Sequence, residues 1–182
     1  MKSKEESVLE LFYGSPRHWH FNEIMEKAGI SRPQLAHWLK KFENDGIIKR
    51  TKPRGKMPYY VQDFESSEFH HRKRLFTLKR LSESGLLSHL ESLREAKVVI
   101  LFGSFSRSDW HEGSDIDIFI YGDDSELEAG RFSAMLGRGI QVHSAKDRKD
   151  LKRIDKMIPY ILMGDFIKGS IEDLGVEVHA GV

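Results

Sequence analysis

The chain of 182 residues carries 29 Lys or Arg against 28 Asp or Glu, with 39% hydrophobic residues, 31% charged residues and no cysteine. That composition describes a folded chain with an ionic surface, and it excludes disulfides and thiolate metal sites. No apolar run approaches the roughly 18 residues that span a bilayer, and the Lys- and Glu-rich start has no signal-peptide core, so no membrane contact and a cytoplasmic location are expected. The net charge of +1 hides an asymmetry: residues 1–62 hold 12 Lys or Arg against 7 Asp or Glu, and residues 63–182 hold 17 against 21. A basic first part suits a polyanionic partner, and an acidic second part suits a protein that collects cations.

Taken in order, Ser3 to Tyr13 is a predicted helix with Val8, Leu9, Leu11 and Phe12 apolar, and Phe21 to Ala28 is a second that stops before Gly29. Ser31 is placed as N-cap of a third helix, with Pro33 in its first turn and Gly46 after its end near Asp45. Leu35, Trp38, Leu39 and Phe42 fall on its predicted core face, leaving Arg32, Gln34, His37, Lys40 and Lys41 free. Ile47 to Arg50 and Tyr59 to Gln62 read as two strands joined by Thr51-Lys52-Pro53-Arg54-Gly55-Lys56, a turn rich in charge, glycine and proline.

This order of helix, helix, helix and basic hairpin over residues 4–62 resembles a winged helix-turn-helix of prokaryotic regulators. The resemblance implies double-stranded DNA as a partner. Arg32, Gln34, His37, Lys40 and Lys41 would face it from the third helix, and Lys49, Arg50, Lys52, Arg54 and Lys56 from the wing.

Glu65 to Ser82 is a predicted linking helix with an apolar stripe of Phe69, Leu75, Phe76, Leu78 and Leu81, which could also be a homodimer contact. Leu86 to Ala96 is a second. His70 and His71 diverge by about 100° on a helix and form no metal site by themselves. Beyond residue 120 a helix is expected over Ser125 to Leu136, a strand over Ile140 to Ser144, a largely helical stretch over Asp147 to Met163 kinked at Pro159, and a short strand over Phe166 to Gly169. The expected division is 1–62, linking helices 63–96, a second domain 97–175 and a tail 176–182.

The densest pattern lies at residues 98–120: an apolar strand, the Gly103-Ser104 turn opening a short helix, and a second strand carrying Asp115 and Asp117. Alternation puts both aspartates on one face and Ile116, Ile118 and Ile120 on the other, so one face is expected to be core and the other open. Two carboxylates about 7 Å apart on a strand can hold a hard divalent cation, magnesium being the natural choice. The glycine lets backbone approach closely, the serine offers a hydroxyl, and helix N–H groups favour a phosphate.

An apolar run, Gly-Ser, ten residues and Asp-apolar-Asp-apolar together resemble the signature of the DNA polymerase beta superfamily, especially its minimal nucleotidyltransferase branch. The implied architecture is α/β (α+β): an N-terminal winged helix domain followed by a nucleotidyltransferase fold with a mixed sheet and flanking helices. By resemblance, Asp115 and Asp117 would be catalytic and bind Mg2+, while Gly103, Ser104 and Arg107 would hold a nucleoside triphosphate. The family reaction moves a nucleoside monophosphate to an acceptor hydroxyl.

Catalytic members usually carry a third carboxylate on a neighbouring strand, and here Gln141 stands at the expected place. A neutral amide is a weaker ligand for a hard cation and cannot act as a base. His143 as base, an acid outside the strand such as Asp147, or an acceptor that arrives pre-activated are the alternatives for that role. Ser108 is a further departure, since the turn usually has glycine there. Two readings follow: a magnesium-dependent nucleotidyltransferase tethered to a DNA-binding domain, and a DNA-binding regulator or antitoxin-like protein whose transferase domain is catalytically degenerate. The minimal branch also implies a possible small helical partner protein.

Overall fold

The computed structural model describes residues 3–175, so the expected tail at 176–182 lies outside the described residues. These residues form two compact units. One runs up to Phe76 and includes Trp110–Glu112, and the other comprises Thr77–Asp109 and the chain from Gly113 onward.

The first unit contains α1 (Lys4–Gly14), α2 (Phe21–Ala28), α3 (Arg32–Asn44) and a hairpin of β1 (Ile48–Thr51) and β2 (Tyr59–Gln62). Ser3 and Glu6 cap α1 reciprocally, each side chain accepting from the other's backbone N–H, which satisfies donors that a helix start leaves orphaned. Gly29 closes α2 in the left-handed conformation at φ 60°, and Ser31 then opens α3 by donating its backbone N–H and its hydroxyl to Gln34 Oε1. Gln34, expected to face DNA, is exposed and uses its Oε1 in this cap. Leu35, Leu39 and Phe42 are buried on the inner face of α3, whereas Trp38 is half-exposed and stacks beside Phe42. The expected core position of Trp38 is therefore corrected: an indole is wide enough to cover the edge of a core without entering it. Trp19 adds a third rung to the hairpin, exchanging two 2.8 Å hydrogen bonds with Tyr60. Helices followed by a wing of antiparallel strands make this a winged-helix arrangement.

The linking helix α4 (Ser67–Glu83) buries Phe69, Phe76 and Leu81 but leaves Leu75 66% exposed, so Leu75 does not belong to the stripe assigned from spacing. A shorter α5 (Leu86–Ser92) follows. It ends earlier than expected because Ala96 already begins a strand and buries on the sheet.

The second unit is built on a four-stranded mixed sheet of order β5-β4-β3-β6, from β3 (Ala96–Phe102), β4 (Ile116–Gly122), β5 (Ile140–Ala145) and β6 (Asp165–Lys168). β3 runs antiparallel to both β4 and β6, and β4 runs parallel to β5. A parallel neighbour needs a crossover, which α7 (Ala129–Leu136) supplies. That helix starts four residues later than expected, after a turn in which Asp123 accepts from the N–H and hydroxyl of Ser125. The stretch expected as one kinked helix is two, α8 (Arg148–Arg153) and α9 (Ile158–Leu162). Pro159 sits in the first turn of α9, where its missing N–H disrupts nothing, so it marks a start and not a kink.

Both faces of the sheet are covered. Phe102, Phe119, Tyr121 and Ala145 pack with Leu151, Ile161 and Leu174 under α8, α9 and a final 3-10 turn (Glu172–Leu174). Val99, Leu101, Ile116, Ile118 and Ile120 are buried on the other side. The expectation of one core face and one open face on β4 thus fails beyond its first residues. Phe119 and Tyr121 share the aspartate face and are both buried, so the carboxylates sit at the strand's beginning, where that cover ends.

Candidate functional site

β3 ends at Phe102, which pairs across the ladder with Asp117. The next residue, Gly103, turns the chain into the five-residue α6 (Gly103–Arg107) at φ 71°. A Cβ added there would lie 2.2 Å from Asp117 Oδ2, so the carboxylate rests directly against the glycine backbone. Only glycine accommodates both the positive φ and this approach. The motif at 103 and the motif at 117 are thereby one structure, linked by strand register.

Asp115 has an equivalent neighbour that sequence reasoning missed. A Cβ on Gly139 would lie 2.2 Å from Asp115 Oδ1, and Gly139 also accepts a 2.9 Å hydrogen bond from the Ile116 N–H. Arg138 braces the same turn by donating to the Ser114 carbonyl at 3.2 Å. A glycine just before a strand reads as ordinary turn chemistry; its role shows only when β5 is laid beside β4.

Asp115 is exposed and Asp117 half-buried. Burial holds the Asp117 carboxyl above the usual carboxylate range; Asp115 pushes it the same way, while His143 and Arg107 oppose the rise. The parallel register sets Gln141 opposite Asp117 and His143 opposite Phe119. Gln141 is exposed, and the His143 ring lies edge-on to Phe102 at 5.5 Å. Among the described residues no three His, Asp or Glu side chains form a metal-holding group. The pair nonetheless fits a hard divalent cation. Both aspartates lie on one face at the start of β4 as carboxylate oxygen donors, and a cation would favour the ionised form of Asp117 that burial opposes.

Arg107, at the end of α6, is 48% exposed and donates to Asp109 at 3.0 Å. Ser108 follows in the left-handed conformation at φ 63°, the one non-glycine residue among the described residues with positive φ. That explains why glycine suits the position. The serine also buries a hydroxyl oxygen that has no hydrogen-bond partner.

In the first unit, the residues expected to meet DNA divide into two groups. Lys41 pairs with Glu5 at 3.1 Å and lies over the Trp38 ring, and Lys49 bridges Asp63 and Glu65. Arg32 donates to Asn22. Lys40, Arg50, Lys52, Arg54 and Lys56 are exposed with no ion-pair partner among the described residues, and His37 is exposed beside Trp38.

The fold and these motifs agree with comparisons to known families. The nucleotidyltransferase domain family matches residues 84–177, more than half of the chain, and this protein belongs to it. Residues 16–57 match the family of helix-turn-helix domains, covering α2, α3 and the wing as far as its loop. No curated protein matches the chain. Among the described residues no helix is long and apolar enough to cross a membrane.

Proposed function

We propose that the second unit binds a nucleoside triphosphate together with Mg2+ and transfers its nucleoside monophosphate to a hydroxyl, while the winged helix holds the protein on double-stranded DNA. The observation that carries this reading is the contact of the Asp117 carboxylate with Gly103. It joins a candidate cation-binding pair to a half-buried glycine turn of the kind that lets backbone approach a phosphate. Asp115 and Asp117 would hold the metal, and Gly103, Ser104 and Arg107 the phosphates. Bound there, the metal would neutralise charge developing on the phosphoryl oxygens. The chain's own part is to align the nucleotide, and to take the proton of the attacking hydroxyl. His143 is the candidate for that proton, its ring lying edge-on to Phe102, the register partner of Asp117.

A specific observation favours a second reading. Gln141 is the register partner of Asp117, so the position that would complete an acidic site is a neutral amide. In that reading the unit binds nucleotide without turnover and the protein is a DNA-binding regulator. Calorimetry with Mg2+ and each of the four triphosphates tests the shared part: absence of magnesium-dependent heat removes both readings of this site. Transfer from a labelled triphosphate separates them. Activity that is lost in His143→Ala supports the enzyme, and inactivity rescued by Gln141→Asp supports the degenerate site.

A further inference from the structure

Trp19 is buried, and in an extended segment the residues on either side of it point the opposite way. His18 and His20 are accordingly both exposed. The His18 ring stacks on Tyr59 with centroids 3.8 Å apart and planes 14° from parallel, leaving each ring one outer face. His20 is oriented by a 3.0 Å hydrogen bond from its Nδ1–H to the Pro58 carbonyl, which leaves Nε2 as its open nitrogen. Together with Pro53, Lys56 and Met57 these three rings line a cleft of about 560 Å³. A second cleft of about 570 Å³ shares His20 and Met57 and brings in Arg32 and Arg50. Its carboxylate, Glu23, is matched by Arg17.

We infer that this cleft takes an unpaired nucleobase: a single-stranded nucleic-acid segment stacks a base on the His18–Tyr59 pair while Lys56 and, in the adjoining cleft, Arg50 hold its phosphates. The inference rests on the winged helix being a nucleic-acid-binding unit and narrows what it binds. A flat aromatic pair recognises the π-face of a base, and a base within a duplex has no free face to offer. Lys56 and Arg50 beside the platform follow the backbone, and the open Nε2 of His20 reaches for a base edge. A purely apolar occupant would leave these cations idle, and a duplex would leave the stacked rings idle.

The test uses the full chain, a short blunt DNA duplex, and the same duplex ending in an unpaired overhang that contains 2-aminopurine. The overhang binds roughly ten-fold tighter than the blunt end, as one stacked base would produce, and the 2-aminopurine emission is quenched on binding. His18→Ala and Tyr59→Leu each erase that difference and the quenching, while blunt-duplex affinity stays within two-fold. His18 is exposed, so His18→Ala reads the platform even where Tyr59→Leu weakens the fold. Equal affinity for the two ends, or a difference that survives both substitutions, overturns the inference. Binding of the overhang with no binding of the blunt duplex removes the duplex reading and leaves the platform standing. Binding of neither removes both.

Discussion

In the second unit burial, with a smaller push from Asp115, opposes ionisation of Asp117, whereas in the first unit Lys41 and Lys49 are each matched to carboxylates of the same unit. Charge that is matched within the fold is structural, and at an exposed pair it contributes about 0–1 kcal/mol. Charge left unmatched at the surface stays available to an external ion or ligand, and a partly buried carboxylate gains most from one. The difference separates Lys41 and Lys49 from Arg50, Lys52, Arg54 and Lys56 within one basic surface. It also sets the aspartate pair apart from the many surface carboxylates that accept from a neighbouring arginine or N–H.

The largest effects address whether the two units stand on separate cores. Phe42→Ala and Phe119→Ala each empty a fully buried ring position and should cost about 3–5 kcal/mol. In a calorimetric melt each should lower a different transition; a single transition lowered by both would show that the units unfold as one. Gly103→Ala comes next, forcing a side chain into the left-handed region and against Asp117. It should cost about 1–3 kcal/mol and abolish magnesium-dependent nucleotide heat. A variant that binds as wild type would break the link between turn and carboxylate. On the basic side, Arg54→Gln with Lys56→Gln should lower the slope of log affinity against log salt by about 2 for a blunt duplex, at roughly 0.9 per phosphate contact. Lys49→Gln, already matched to Asp63 and Glu65, should leave that slope nearly unchanged.

Ser108→Gly should stabilise the protein by about 1 kcal/mol, because it removes a strained φ and an unpartnered buried hydroxyl, and thermal denaturation would register the gain. The smallest effect concerns pH. Asp117 is raised in the folded state, so its ionisation disfavours folding: the native state is relatively more stable below the folded-state value and loses that advantage as pH rises through it. Asp117→Asn should therefore melt slightly higher than wild type at neutral pH, and the two should converge in acid. In wild type, cation binding should weaken as pH falls through the same range. Binding indifferent to acid in that window would place the cation elsewhere.

Local chemistry accounts for what could be read from the chain. Ser31, Pro33 and Gly46 delimit α3 by capping rules that act within a few residues, and the strand-turn-strand at 98–120 declares itself by alternation around a glycine. The roles of Gly139 and of the His18–Tyr59 pair were not legible, since each arises from a pairing between distant segments: β5 beside β4, and Trp19 beside Tyr60. The burial of Phe119 and Tyr121 was hidden for a related reason. Alternation separates the two faces of a strand but does not say that α8 and α9 return to cover the second. The exposure of Leu75 is likewise settled by packing and not by period.

The parallel pairing of β5 with β4 bears on the order in which the site is assembled. The β3–β4 pairing closes a shorter stretch of chain than the β4–β5 crossover, so Gly103 and Asp117 are expected to come together before Gln141 reaches its place. Substitutions at Gly103 should then slow refolding, and substitutions at Gln141 should chiefly speed unfolding. Gln141, on β5, is thus expected to be exchangeable without disturbing the pairing that brings Gly103 and Asp117 together.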